Sequence, residues 1–192
     1  VIPVVTVDTH AHVRTGHAGS KFGLAPAVAA ELIKRIETSP KLRMRGLHVH
    51  VGSQILDVEP FAQSVAPVAA LGEFEIYDLG GGLGARYTYA DDPPSVAAYL
   101  DSLVGAARTH LPAAAQLIIE PGRSMVASAA LTHYRVVNVK HGLVPFVAVA
   151  CRLGDHLEVA LSEQRLEARV VRGLYQPTVT RCTLCGTASA RC

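Results

Sequence analysis

The chain has 192 residues, 49% of them hydrophobic, and its 18 basic residues nearly balance 16 acidic ones. No basic stripe with interleaved aromatic residues occurs, which argues against a nucleic-acid partner. The longest apolar runs, residues 64–72 and 143–151, are too short to span a bilayer, and no leader-like segment opens the sequence, so the expected location is the cytoplasm.

Apolar runs alternate with helix-like stretches along most of the chain. A helix with an inward apolar stripe is predicted at Pro26–Ile36, and three strands then follow with helices between them. In chain order these are the strand Leu42–Val49, the helix Pro60–Leu71, the strand Phe74–Leu79, the helix Ser95–Leu111 and the strand Ala114–Ile119. The alternation predicts an α/β fold, a partial TIM-type (β/α) barrel of four parallel strands with helices.

Two later segments, Val144–Val149 and Leu166–Val171, have the composition of β-strands, and residues 178–184 are strand-like as well. They predict the start of a β-domain after the barrel. A complete barrel usually takes about 250 residues, so the chain is expected to be a fragment that contains about half of one.

The polar tips of the three barrel strands carry the most informative residues. These tips are His48–Gln54, Asp78–Gly84 and Glu120–Ser124. Because the carboxyl ends of parallel barrel strands form one rim, the tips are expected to converge on a single site. Three consecutive glycines at a strand-to-helix turn suit a phosphate, and Arg123 can add a permanently charged fork.

In this order and spacing the tips resemble the fold-type III pyridoxal-phosphate-dependent decarboxylases, most of all the diaminopimelate decarboxylases. Supporting signatures are Thr9-His10, Thr15-Gly16-His17, Ser20-Lys21-Phe22-Gly23 and Tyr134-Arg135-Val136-Val137. The resemblance implies pyridoxal 5'-phosphate as cofactor, a small amino-acid substrate, a homodimer and a lyase of lysine biosynthesis that converts meso-diaminopimelate to lysine. It also implies a domain boundary near Lys140, with a cofactor-binding partial barrel at 1–140 and an incomplete C-terminal β-domain at 141–192.

The resemblance assigns a role to each residue of the tips. Glu120 is expected to face the pyridine nitrogen and favour its protonated form, while His50 stacks on the ring. Arg123 is expected to hold the phosphate or a substrate carboxylate. The full set of expected cofactor-binding residues is His50, Ser53, Gly80, Gly81, Gly82, Glu120, Gly122 and Arg123. Each residue alone has an ordinary structural explanation, such as a turn glycine or a helix cap, but their joint occurrence favours the cofactor.

The lysine that forms the family's Schiff base has no counterpart in this sequence. The lysines are Lys21, Lys34, Lys41 and Lys140, and the family's lysine is expected upstream of Val1. No catalytic residue is therefore assigned, and the chain by itself is expected to be inactive. Residues 150–192 match the family poorly, so most of its second domain is expected to be missing.

Two other functions stay open. One is a non-catalytic decarboxylase-like remnant. The other is a metal-dependent barrel hydrolase, since Asp8-Thr9-His10-Ala11-His12 and His48-Val49-His50 each pair two histidines near a strand end. The hydrolase hypothesis leaves the glycines and Glu120–Arg123 without a role. No metal-binding residues are therefore expected. Cys182, Cys185 and Cys192 receive no role, because a lone Cys-x-x-Cys pair is a weak metal signal.

Overall fold

The structure is a computed structural model that describes residues 1–5, 15–156, 165–172 and 182–186. Its helices are α1 (Pro26–Glu37), α2 (Glu59–Gln63), α3 (Val65–Ala69), α4 (Val96–His110) and α5 (Arg123–Val126). Its strands are β1 (Gly46–His48), β2 (Ile76–Asp78), β3 (Gln116–Ile118), β4 (Val136–Lys140), β5 (Phe146–Val149) and β6 (Thr183–Gly186). Short 3-10 turns lie at Ala127–Ala129 and Leu153–His156.

The chain divides into two compact units. The first comprises residues 1–86 and 91–129, and the second comprises residues 87–90 and 130–192. The division at 129/130 precedes the predicted domain boundary near Lys140, because β4 pairs with β5 and not with the parallel sheet. The domain limits of the whole protein stay a prediction.

The first unit contains the predicted parallel strands. β1, β2 and β3 are hydrogen-bonded in that order, and both pairs are parallel. Side chains alternate between the two faces of a strand, so Val49, Tyr77 and Leu79 share the face that packs on the helices. These three residues are almost fully buried. The predicted parallel α/β arrangement is confirmed, with three of the four predicted barrel strands in the described part of this unit.

Helix α4 completes the core through one stripe of its surface. Tyr99, Leu103 and Ala107 follow each other at four-residue spacing and are all buried. The Tyr99 ring meets the Phe61 ring edge to face at 4.8 Å between centroids. Ser95 caps the helix, since its Oγ accepts a hydrogen bond from the Ala98 amide at 3.1 Å.

The helix predicted at Pro60–Leu71 is broken into α2 and α3. Pro67 has no amide hydrogen to donate to the Gln63 carbonyl, and its ring would crowd that carbonyl in a continuous helix. The buried Ser64 occupies the break, where its hydroxyl donates to the Phe61 carbonyl at 2.7 Å. The prediction of one helix was wrong because the effect of Pro67 was overlooked.

In the second unit, β4 pairs antiparallel with β5, and β5 pairs parallel with β6. The strand predicted at Val144–Val149 is confirmed as the shorter β5. The strand predicted at Leu166–Val171 was wrong, because residues 165–172 are irregular and exposed. The described backbone hydrogen bond of this segment runs from the Glu167 amide to the Tyr87 carbonyl at 3.0 Å and does not form part of a strand ladder. Residues 178–181 of the strand-like stretch lie outside the described residues.

None of the helices in the described ranges has the length and apolar character needed to cross a membrane.

Candidate functional site

The register of the parallel sheet brings the three strand tips together. His48, Asp78 and Ile118 are Cα partners across β1, β2 and β3. Two residues further along each strand, on the same face, come His50, Gly80 and Glu120. The Glu120 amide donates to the Gly80 carbonyl at 2.8 Å, so the alignment continues beyond the last ladder pair. The predicted convergence of these tips at one end of the sheet is therefore seen.

The glycines at the tip of β2 are required by close packing of backbone on backbone. Gly80 has a φ of +68°, and a Cβ there would strike the Val49 carbonyl oxygen. A Cβ on Gly81 would strike the Glu120 carbonyl oxygen, and Gly82 has a φ of +118°. Side chains at these positions would push the three tips apart. The glycines thus have a structural role even before any ligand is considered.

Two of the glycine amides are already donors within the chain. The Gly80 amide donates to Asp78 Oδ1 at 3.0 Å, and the Gly81 amide donates to His50 Nδ1 at 3.3 Å. The second bond requires His50 Nδ1 to be unprotonated and fixes the plane of the imidazole ring. Gly81 therefore orients His50, which the sequence alone did not indicate.

Arg123 approaches the tip of β1 from the start of α5. Its Nη2 donates to Ser53 Oγ at 3.5 Å, so the expected phosphate-binding cation and hydroxyl lie side by side. Gly122 differs from the other glycines. Its φ is −115°, and a Cβ there would meet no atom of the described chain within 4 Å. No contact within the described chain therefore requires a glycine at this position.

Gln54 is a residue of the β1 tip to which sequence reasoning gave no role. Its side chain donates from Nε2 to the Ala85 carbonyl at 2.7 Å and accepts from the Ala85 amide at 3.1 Å. Nearby, Ile55 forms an isolated parallel bridge with Leu83. Gln54 thus ties the loop after β1 to the loop after β2. Its position directly after Ser53 in the tip sequence was the available signal.

His48 is the second residue whose contact was missed. Its Nε2 lies 3.4 Å from Glu120 Oε2, and both side chains are about half exposed. β2 lies between the strands that carry these two residues. Gly80 on β2 has no side chain that would separate them. A potential ligand atom from each of His48, His50 and Glu120 lies within 4.8 Å of the others. This contact depends on sheet register, which the sequence did not give.

The predicted flanking signatures are only partly described. The Thr15 hydroxyl donates to the His50 carbonyl at 2.9 Å, and the Gly16 amide donates to the Val51 carbonyl at 3.0 Å. This segment therefore lies against the tip of β1. Lys21 is exposed, with its ammonium 5.1 Å from the centroid of the Phe22 ring. Residues 8–12, which include the other His-x-His pair, lie outside the described residues.

Comparison with known proteins identifies the family. Residues 1–127 match the family described as pyridoxal-dependent decarboxylase, pyridoxal binding domain. The chain belongs to this family. The predicted recognition as a pyridoxal-dependent decarboxylase is thereby confirmed.

Individual decarboxylases of the family support the same assignment. The chain is 34% identical to the diaminopimelate decarboxylase of Mycobacterium leprae over 87% of the chain and 41% of that protein. It is 31% identical to that of Staphylococcus aureus over 89% of the chain and 44% of that protein. The chain thus spans less than half the length of these relatives.

Solved decarboxylase structures share the fold. The crystal structure of diaminopimelate decarboxylase from Helicobacter pylori complexed with L-lysine superposes with a TM-score of 0.86 at 25% identity. It covers 99% of this chain and 48% of that chain. The predicted partial barrel followed by part of a β-domain is confirmed as the fold class.

Proposed function

We propose that the tips of β1, β2 and β3 form the pyridoxal-phosphate site of an amino-acid decarboxylase. The observation that carries the proposal is the convergence of His50 and Glu120 across Gly80, with Arg123 beside Ser53. A carboxylate, an imidazole and a cation–hydroxyl pair are the groups that a phosphorylated pyridine needs. The residues present therefore fit the cofactor.

The phosphate would be held by Arg123, Ser53 and the backbone of Gly82. Arg123 contributes a planar, permanently charged donor set suited to a dianion. The amides of Gly80 and Gly81 already donate within the chain, so these two glycines support the site mainly by letting the strand tips approach. Gly122 leaves open space at the start of α5, which suits a ligand approaching the backbone.

The pyridine ring would be held by Glu120 and His50. When bound, pyridoxal phosphate supplies an electron sink for the breaking of a bond to the substrate α-carbon. The Glu120 carboxylate would favour a proton on the pyridine nitrogen through its opposite charge. His50, oriented by the Gly81 amide, would stack on the ring and fix its plane.

For the whole protein we propose decarboxylation of meso-diaminopimelate to lysine. The support is the identity to diaminopimelate decarboxylases of several bacteria, named as such. The homodimer, the cytoplasmic location and a substrate-carboxylate role for Arg123 stay predictions. None of Lys21, Lys34, Lys41 or Lys140 is proposed to bind the cofactor covalently, so we expect no turnover from this chain by itself.

Titration of the purified chain with pyridoxal phosphate tests the proposed site. Equilibrium dialysis should show saturable binding that Glu120→Gln weakens by about tenfold, since a hydrogen bond to a charged group contributes ~1.5–3 kcal/mol. Glu31→Gln, a change at an exposed position on α1, is the matched control and should bind like the original chain. Absence of saturable binding, equal binding by the Glu120→Gln variant, or covalent attachment to Lys21 would contradict the proposal.

A further inference from the structure

We propose that His48, His50 and Glu120 bind a divalent transition-metal ion of the zinc class when no cofactor occupies the site. The ligand set is two imidazoles and one carboxylate, which are the nitrogen and oxygen ligands that zinc accepts. This proposal departs from the sequence-based expectation that no metal is bound. It also needs no ligand from the His10–His12 pair on which the hydrolase hypothesis depended.

The distances among the three side chains fit a metal site. One ligand atom from each residue lies within 4.8 Å of the other two. Tetrahedral zinc with bonds of roughly 2.0–2.1 Å separates neighbouring ligand atoms by about 3.3 Å. The separation of 3.4 Å between His48 Nε2 and Glu120 Oε2 already has this length. Small rotations of the side chains would bring the remaining pairs to the same separation.

The backbone explains why the three ligands meet. His48 and His50 are two residues apart in an extended segment and therefore lie on one face of the sheet. Glu120 reaches them from the next-but-one strand because Gly80, between His50 and Glu120, has no side chain. An added Cβ at Gly80 would come within 3.1 Å of His50 Nδ1. The site is thus built by the register of the sheet.

The ligands can exchange water for a metal at low cost. The side chains of His48 and Glu120 are about half exposed, so little desolvation accompanies binding. Ligation by His50 sacrifices the hydrogen bond from the Gly81 amide, which is long at 3.3 Å. With three protein ligands, the ion would keep at least one position for water, as open zinc sites do.

Metal and cofactor would exclude each other in this site. His50 and Glu120 are the residues proposed to hold the pyridine ring, so either occupant removes contacts from the other. This competition rests on the proposed function, whereas metal binding itself does not. Zinc would then act as an inhibitor of cofactor loading.

Zinc titration of the 192-residue chain tests the proposal. A Cys182→Ser/Cys185→Ser background removes two free thiols that would otherwise bind zinc. In this background one equivalent of zinc should bind. His48→Ala, His50→Ala and Glu120→Gln should each weaken it by more than about tenfold, since loss of an outer-shell partner alone often costs that much. His110→Ala, at the exposed end of α4, and His10→Ala/His12→Ala should leave it unchanged.

A spectroscopic readout separates lost ligation from lost folding. Cobalt bound in the same background should show d–d absorption without a thiolate charge-transfer band, and each ligand variant should lose it while keeping its circular dichroism. Zinc binding that survives all three ligand substitutions, or that disappears only with His10→Ala/His12→Ala, would overturn the proposal. Zinc binding at these ligands without pyridoxal-phosphate binding would refute only the proposed function, and the reverse result would refute only the metal site.

Discussion

At the scale of single residues, two glycines of the strand tips differ in what the fold requires of them. Gly80 combines a φ of +68° with a Cβ position that meets the Val49 carbonyl oxygen. Gly122 has an ordinary φ of −115° and open space around its Cβ position. Both belong to the tips that the sequence singled out, yet only Gly80 is demanded by the fold.

We expect Gly80→Ala to lower the free energy of unfolding by more than ~2 kcal/mol. The alanine would have to adopt a left-handed backbone conformation, and its Cβ would clash with the Val49 carbonyl oxygen. Gly122→Ala is the control and should change it by less than ~0.5 kcal/mol. Urea unfolding followed by circular dichroism measures both. Equal stability of the two variants would show that the β2 tip is not packed as described.

Two buried tyrosines provide a second comparison at this scale. The Tyr77 hydroxyl donates to the Gly72 carbonyl at 2.9 Å and accepts from the Phe74 amide at 3.1 Å. The Tyr99 hydroxyl is buried and has no hydrogen-bond partner among the described residues. Tyr77→Phe should therefore cost ~1 kcal/mol or more, whereas Tyr99→Phe should be neutral or stabilising. A larger loss for Tyr99→Phe in urea unfolding would contradict this.

The same tyrosines make stability depend on alkaline pH. Burial, and secondarily the Asp78 carboxylate, raises the pKa of Tyr99 above its ordinary value of about 10. The pKa of Tyr99 is higher in the folded than in the unfolded chain. Its contribution to the free energy of unfolding is therefore complete below about pH 10 and is lost as the pH rises through the folded pKa. Part of the alkaline loss of stability should therefore disappear in Tyr99→Phe.

At the scale of elements, sequence patterns predicted the features that depend on neighbouring residues in the chain. They did not predict the contacts that depend on how separate strands align. The alternation of strands and helices and the rim positions of His50 and Glu120 followed from apolar runs ending in polar tips. The break at Pro67 was legible but overlooked. The irregular segment at 165–172 could not be foreseen, since a β-type composition gives a strand only where a partner strand is available. The contact of His48 with Glu120 required knowing that two separate strands align.

The N-terminal cap of α4 gives a test at the element scale. Ser95→Ala should remove the hydrogen bond to the Ala98 amide and cost ~1 kcal/mol, since Ser is a preferred capping residue. Ser95→Asp should restore most of the loss, because a carboxylate accepts the same bond and interacts favourably with the helix dipole. Equal destabilisation by both substitutions would show that Ser95 does not stabilise α4 through this capping bond.

At the scale of the whole molecule, the proposed cofactor site lies on one face of the β1–β3 sheet. On the helix-facing side of the β1–β3 sheet, Val49, Tyr77 and Leu79 are buried, whereas His48, Ile118 and Glu120 on its other face are exposed in the described structure. Helices and strands in a complete barrel would enclose this second face. The chain belongs to the decarboxylase family and spans less than half the length of these relatives. Both facts agree with a proposed site that is only partly enclosed here.

Comparing pyridoxal phosphate with pyridoxal tests the central claim most directly, because the two ligands differ only in the phosphate. If Arg123 and Ser53 hold that group, removing the phosphate should weaken binding to the original chain by tenfold or more, on the order of 1.4 kcal/mol. In Arg123→Met the two ligands should bind almost equally, while Arg108→Met, at an exposed position of α4, should keep the full difference. A phosphate preference that is unchanged in Arg123→Met would contradict the account.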